Sequence, residues 1–114
     1  MNVVSDLTLY KKEEHLLNTV VYPALRNFPK SEKFALCQEI KQAFYNLMRC
    51  TLLANNVKSK RRLYQEEADA HLKLLLALFS VAKHQKYITV KKSAQIQTGL
   101  AELGRILGGW MRSN

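Results

Sequence analysis

The side chains that could perform catalysis or hold a metal are few in this sequence. Its three histidines form neither a Glu-x-x-His nor an HExxH motif, the patterns of four-helix di-iron sites and of zinc proteases. Glu67 and His71 lie four residues apart, but no nucleophile or orienting group accompanies them. This pair is more typical of a polar helix face, so we expect no enzyme activity, no metal and no cofactor.

The two cysteines, Cys37 and Cys50, also suit a structural role. Within one straight helix they would lie roughly 20 Å apart at about 1.5 Å per residue, too far for a disulfide. Neither has a CxxC neighbour or a nearby histidine, which argues against zinc. We expect both thiols to be reduced and buried, as in a cytoplasmic protein.

Basic side chains carry the main functional signal. The chain has 18 Lys plus Arg against 9 Asp plus Glu, a formal charge of +9. Such an excess predicts a polyanionic partner, although a basic surface that serves solubility alone remains the alternative. Binding would rest on phosphate contacts and shape. The candidate residues are Lys58, Lys60, Arg61, Arg62, Lys91 and Lys92, followed by Lys73, Lys83, Lys86 and Arg105.

Size and composition predict one all-α domain spanning residues 1–114. Apolar residues make up 47%, while Gly and Pro number only four and two. These values favour a helical core over disorder or a turn-rich β fold. The longest strongly apolar run, LLLALFSVA at 74–82, is far shorter than the about 20 residues of a membrane span. No secretion signal is visible, so we expect a soluble cytoplasmic protein.

Four helices are expected from the 3.6-residue apolar periodicity. We predict helices from residue 5 or 6 to 26, and over 32–55, 59–85 and 89–111. The predicted N-cap residues are Ser5 or Asp6, Ser31 and Thr89, and Pro23 should disturb the first helix. Asn55 and Asn56 suit the end of the second, since asparagine tolerates the left-handed conformation. Short connections favour an antiparallel up-down-up-down four-helix bundle.

Apolar positions predict which faces these helices bury. The fourth helix carries a seam with alternating spacings of four and three, typical of bundles: Ile96, Leu100, Leu103, Leu107 and Trp110. The buried face of the second helix is predicted to be Phe34, Cys37, Ile40, Phe44, Leu47, Met48 and Thr51.

The second half of the third helix is apolar nearly all round. A single layer of neighbours in a small bundle cannot cover such a helix. We therefore predict that subunits associate through Leu75, Leu78 and Phe79.

Glycines near the C-terminus raise a separate question, because each costs about 1 kcal/mol inside a helix relative to alanine. Gly104 and Gly108 share one face and lie beside Trp110. We expect this face to permit close packing in the oligomer. The alternative is that Gly108 and Gly109 simply end the helix.

Several stretches resemble one family. They are RRLYQEEADAHLKLLLAL (61–78), ITVKKSAQ (88–95), AELGRILGGWMRS (101–113) and YPALRNFPKSEKFAL (22–36). The chain is similar to the four-helix-bundle proteins that include the accessory variability determinant of diversity-generating retroelements and the proteins encoded within ribosomal-RNA intervening sequences. The similarity covers the whole chain and is most specific in the third and fourth helices.

The resemblance implies a non-enzymatic accessory protein that forms a ring-like pentamer with a positively charged surface. Such proteins bind the element's reverse transcriptase and RNA or DNA, and they support mutagenic retrohoming. The alternative is an intervening-sequence protein that binds RNA or other proteins and is unrelated to retroelements. Family members often carry arginines where this chain has LLLALFSVA, so their role would pass here to Lys73, Lys83 or Arg105.

Overall fold

The structure is a computed structural model. It describes the backbone of residues 3–113 and the side chains of residues 8–113. Four helices dominate this part of the chain, and it contains no strand. Helix α1 consists of Val3–Leu16, a π-helical segment at Leu17–Val21 and Tyr22–Leu25, and the others are α2 (Leu36–Asn56), α3 (Arg61–His84) and α4 (Val90–Arg112). The predicted all-α class is confirmed.

The start of α4 agrees with the start predicted from the sequence, whereas α1 begins before its predicted start. The Thr89 hydroxyl accepts a hydrogen bond from the Lys92 amide at 3.0 Å, so the predicted N-cap of α4 is confirmed. Helix α1 already includes Ser5 and Asp6, and their side chains lie outside the described part. Helix α2 ends at Asn56 without a left-handed residue, because the only non-glycine residue with positive φ among those described is Lys86.

The start of α2 corrects two predictions. Lys30–Glu32 form a short 3₁₀ turn, and α2 begins only at Leu36. Ser31 is therefore not its N-cap; instead, Glu32 Oε1 accepts a hydrogen bond from the Leu36 amide at 3.3 Å. Phe34 precedes the helix and is 95% exposed, whereas the sequence placed it on the buried face. Helical periodicity had been extended across a turn that the backbone makes at Ala35.

The disturbance predicted at Pro23 takes the form of the π-helical segment on its N-terminal side. The Tyr22 amide bonds to the carbonyl of Leu17, five residues earlier, and Pro23 itself has no amide hydrogen to offer. Within this turn Leu17, Val20 and Val21 are all buried. The wider turn therefore keeps this apolar face in the core while the helix passes the proline.

Contacts at the helix ends show that the four helices alternate in direction. The start of α3 meets the end of α2, where Arg61 bonds to Ala54, and the end of α4, where Arg62 bonds to Met111. At the opposite end, Tyr87 bonds to Glu32. Helices α1 and α2 are joined inside the core by a hydrogen bond from Thr51 to Glu13.

The seam predicted on α4 forms the centre of the core. Ile96, Leu100, Leu103, Leu107 and Trp110 are all buried. Phe44 and Leu47 of α2 and Leu75 and Phe79 of α3 are completely or almost completely buried as well. Burial of each large apolar side chain contributes about 1.5–3 kcal/mol, so this shared seam stabilises the bundle.

The predicted subunit contacts on α3 need correction. Leu75 and Phe79 are completely buried inside the single chain, and Leu78 is half-buried against the same core, so Leu75 and Phe79 offer no surface to another subunit. The large apolar side chains of this stretch that are exposed are Leu74, Leu76 and Val81. A helix that is apolar nearly all round therefore does leave uncovered apolar surface, but on other residues.

For the glycines of α4, the alternative that Gly108 and Gly109 end the helix is wrong, whereas close packing of Gly104 and Gly108 in an oligomer stays a prediction. The helix continues through Gly108 and Gly109 to Arg112, so these glycines do not end it. A Cβ at Gly104 would lie 3.4 Å from Leu72 of the same chain, an ordinary contact. The close approach between helices is instead at Gly99, where a Cβ would lie 2.5 Å from Cδ1 of Leu16 on α1. Trp110 fills the core of the single chain.

Candidate nucleic-acid interface

The candidate cations lie in three places. Lys58, Lys60, Arg61 and Arg62 lie at the α2–α3 connection, and Lys73 and Arg105 lie along the helices. Lys83, Lys86, Lys91 and Lys92 surround the α3–α4 connection. Because the helices alternate in direction, the two connections are at opposite ends of a molecule about 43 Å long.

Two cations at the α2–α3 connection serve the fold. Arg61 donates to the carbonyls of Ala54 at 2.8 Å and Asn55 at 3.0 Å, and its guanidinium lies 6.0 Å from the centre of the Trp110 ring. Arg62 bonds to Glu66 and, at 3.3 Å, to the carbonyl of Met111. These contacts satisfy carbonyls that a helix C-terminus leaves without partners. A charge reversal at Arg61 would therefore destabilise the bundle and would also weaken the binding of an anionic ligand.

The cations along the helices are paired with carboxylates. Lys73 forms an ion pair with Asp69, and Arg105 donates two hydrogen bonds to Glu102, at 2.9 and 2.8 Å. The Arg105 contact lowers the pKa of Glu102, which therefore stays ionised. Exposed pairs of this kind add little stability, but they reduce the local positive charge. Lys73 therefore contributes little to a continuous positive surface between the two ends of the bundle.

The α3–α4 connection holds a lysine in an unusual backbone conformation. Lys86 has φ of 64°, and two hydrogen bonds, from Lys86 to the Lys83 carbonyl and from Tyr87 to the Ala82 carbonyl, close the end of α3. This is the Schellman arrangement, in which glycine is usual at the left-handed position. A lysine there costs roughly 1 kcal/mol relative to glycine. The fold thus holds a positive charge at the tip of this turn.

The α1–α2 turn brings further cations to the same end. The rings of Phe28 and Tyr87 lie 5.5 Å apart, and the Tyr87 hydroxyl donates to Glu32 at 2.9 Å. Arg26 and Lys30 of this turn are exposed, and sequence reasoning did not single them out. Five exposed cations at this end have side chains without a partner among the described residues. We call this group the basic end; its members are Arg26, Lys30, Lys83, Lys86 and Lys91.

Nearby negative charge offsets little of the positive charge of the basic end. Glu32, the carboxylate between these turns, accepts from the Leu36 amide and the Tyr87 hydroxyl, two neutral donors that do not cancel its charge, so it offsets one of the five positive charges. Lys91 and Lys92 occupy the first turn of α4, where the helix dipole disfavours cations by about 0.3–1 kcal/mol each. Lys92 bonds to Gln95, whereas Lys91 has no such contact among the described side chains. This end is therefore suited to attract an anion.

A carboxyl group lies in the core between α1 and α2. Glu13 is completely buried, its Oε2 accepts from the Thr51 hydroxyl at 2.7 Å, and its Oε1 has no partner. Burial raises the pKa of Glu13 to about 8, although the Thr51 hydrogen bond lowers it in part. Glu13 is therefore a carboxylic acid that stays mostly neutral in the core near neutral pH.

Other sites expected from the sequence behave as structural residues. Cys37 and Cys50 are buried free thiols, and burial raises the pKa of both. No group of His, Cys, Asp and Glu among the described residues is arranged to hold a metal. No helix in the same part of the chain is long and apolar enough to cross a membrane.

A comparison with protein families identifies the family of this bundle. The model of the bAvd-like family matches residues 7–114, which include all of α2, α3 and α4. The chain belongs to the bAvd-like family. No curated protein and no solved structure gives a significant match. The bAvd-like family consists of accessory proteins that are not known as enzymes and are associated in general with a reverse transcriptase.

The buried Glu13 predicts a pH dependence of stability in this bAvd-like protein. In the unfolded chain its carboxyl ionises above pH about 4.5, whereas in the fold it stays protonated until about 8. The unfolded state thus binds fewer protons in this window, and the free energy of unfolding should fall as pH rises, by up to about 1.4 kcal/mol per pH unit. Glu13→Gln should flatten this part of the profile in urea unfolding.

Glu14→Gln is the matched control, because Glu14 is the exposed neighbour. It should leave the profile parallel to that of the wild type. A Glu13→Gln profile with the wild-type slope between pH 5 and 8 would show that Glu13 is ionised in the fold.

Proposed function

We propose that this bAvd-like protein is a non-enzymatic accessory protein of a diversity-generating retroelement. It binds a reverse transcriptase and nucleic acid and thereby supports mutagenic retrohoming. The basic end is the observation that supports nucleic-acid binding, whereas the family association supports the reverse transcriptase as partner. The protein contributes contacts and positioning, and the chemistry belongs to the polymerase.

Phosphate binding is the chemistry that suits the basic end. Its five cations come from two separate turns that the Tyr87–Glu32 hydrogen bond joins. Lysine and arginine side chains that neutralise phosphates release counterions, which favours binding to any long polyanion. At the opposite end, the exposed cations without a partner among the described residues are Lys58, Lys60 and Arg112, three against five. The basic end is therefore the stronger candidate for the contact.

An intervening-sequence protein would also use a basic surface, so charge alone does not separate the two hypotheses. The match to the bAvd-like family favours the retroelement. A reverse-transcriptase gene and paired repeats beside this gene would agree with the proposal. An insertion within ribosomal-RNA genes would favour the alternative.

We also propose that the protein acts as a homo-oligomer, with five subunits expected from the resemblance. On α3, Leu63, Leu74 and Val81 are 49%, 44% and 47% exposed. Together with the exposed Ala70 and Ala77 they follow alternating spacings of three and four on one side of the helix, interrupted by Glu67. Such a stripe is typical of a helix that packs on a neighbouring helix. It replaces Leu75 and Phe79 as the proposed contact.

Charge reversal tests the nucleic-acid part of the proposal. The double variant Lys83→Glu and Lys91→Glu should weaken binding of a labelled structured RNA roughly tenfold at moderate salt, because two phosphate contacts become repulsive. Neither side chain has a hydrogen-bond partner among the described residues. The helix dipole favours the glutamate in the first turn of α4 and disfavours the one in the last turn of α3, so the two effects offset each other. Fluorescence anisotropy measures the affinity, and circular dichroism checks that the variant is folded.

The matched control is Lys58→Glu with Lys60→Glu at the other end. Each double variant lowers the formal charge from +9 to +5, since each substitution changes it by −2. The control should lose clearly less affinity. Equal losses would mean that net charge alone attracts RNA and that the basic end has no special role.

Disruption of the α3 stripe tests oligomer formation. Leu74→Glu should convert the oligomer to monomer, because a charge in an apolar contact between subunits is strongly unfavourable. Val90→Glu is the control, since Val90 is 73% exposed and lies outside the stripe. Light scattering after size exclusion gives the subunit number. A monomeric wild type, or a Leu74→Glu oligomer of unchanged size, would contradict this contact.

A further inference from the structure

Phe34 is the most exposed of the large apolar side chains in the described part of the chain, at 95%. It lies between the 3₁₀ turn Lys30–Glu32 and the first residue of α2. A single exposed apolar side chain is common on protein surfaces, so exposure alone assigns no role. The surroundings of this ring are more informative.

Phe34 forms one wall of a pocket of about 250 Å³ between α1 and α2. The apolar lining includes Leu25 and Cys37, and the cations that line it are Arg26, Lys33 and Lys41. Among the described residues, no carboxylate lines this pocket. Lys33 donates to the Leu25 and Arg26 carbonyls, and the Lys41 ammonium lies 5.2 Å from the centre of the Tyr22 ring. Two of the cations are therefore held in place, whereas the Arg26 side chain has no partner among the described residues.

A flat aromatic face beside fixed cations suits an unpaired nucleotide. The base stacks on the ring, and the phosphates lie against the positive side chains. The volume is below the roughly 300–1,000 Å³ of pockets that enclose a drug-sized ligand, so the pocket is suited to one ring system. The Gln38 amide lines it and offers both a donor and an acceptor for a base edge.

A peptide fits this surface less well. An apolar peptide anchor would leave the three cations of the pocket lining without an anion, whereas a nucleotide supplies one in its phosphate. Arg26 belongs both to this pocket and to the basic end, so a strand held there by phosphate contacts would pass the ring. Phe34 therefore lies beside a cation that would hold the strand.

We infer that Phe34 is a stacking platform for an unpaired base, with Arg26, the pocket cation that has no partner among the described residues, holding the neighbouring phosphate. This inference rests on the proposed function and extends it by naming the substrate class. The protein binds single strands or loops in preference to a continuous duplex, because bases inside a duplex do not expose their faces.

The test compares a short labelled single-stranded RNA with a blunt duplex of the same sequence, using the full chain. Phe34→Ala should weaken single-strand binding about 5- to 150-fold, the range that corresponds to the loss of one base–aromatic stack. Duplex binding should change less than twofold. Phe34→Trp should bind the single strand at least as tightly as the wild type, whereas Phe34→Leu, apolar but without an aromatic face, should bind weakly.

Val90→Ala is the control for removal of an exposed apolar side chain, and it should leave both affinities unchanged. Equal weakening of both RNAs by Phe34→Ala, wild-type affinity of this variant, or full rescue by Phe34→Leu would each overturn the stacking role. In those cases the Lys83→Glu and Lys91→Glu variant would still weaken binding if the proposed function is correct. A wild type that binds neither RNA would overturn both.

Discussion

Helix C-termini are the constraint on which the charge distribution of this protein depends. Each helix leaves carbonyl groups without intrahelical partners at its last turn, and three of the four ends use a cation to satisfy them. Lys33 serves the end of α1, Arg61 that of α2 and Arg62 that of α4. Hydrogen bonds of this type, with a charged donor, contribute about 1.5–3 kcal/mol each when they are protected from water. Helix α3 instead ends in a Schellman turn, formed by backbone hydrogen bonds alone.

This division explains why the two ends of the bundle differ. At the α2–α3 connection, the arginines are occupied by carbonyls and by the Trp110 ring. At the α3–α4 connection, the backbone closes the helix by itself, and the lysines remain available. Lys86 even occupies a left-handed position that favours glycine. Some of the excess cations are needed to satisfy carbonyl groups at helix C-termini. The cations without such a role are concentrated at the basic end, where the α1–α2 and α3–α4 turns meet.

Much of the fold was predictable because periodicity records burial along a helix. The α4 seam and the Thr89 N-cap depend on local spacing, and both are as predicted. Phe34 was misplaced because the turn at Ala35 interrupts an otherwise helical pattern. The tertiary roles of Arg61 and Gly99 depend on which helix lies opposite, information that a single sequence does not carry. Arg26 and Lys30 were missed for the same reason, since only the packing of Tyr87 against the α1–α2 turn brings them to the other lysines.

If the free cations of this bAvd-like protein bind phosphates, as we propose, its affinity for RNA must fall steeply as salt is raised. The affinity of wild-type protein for a labelled single-stranded RNA would be measured as ionic strength is raised. If five cations contact phosphates, the logarithm of the association constant should fall with the logarithm of salt with a slope of about −3.5, since each contact contributes about −0.7. Absence of binding at low salt, or an affinity that salt leaves unchanged, would contradict the account and assign the positive charge to a protein partner or to solubility.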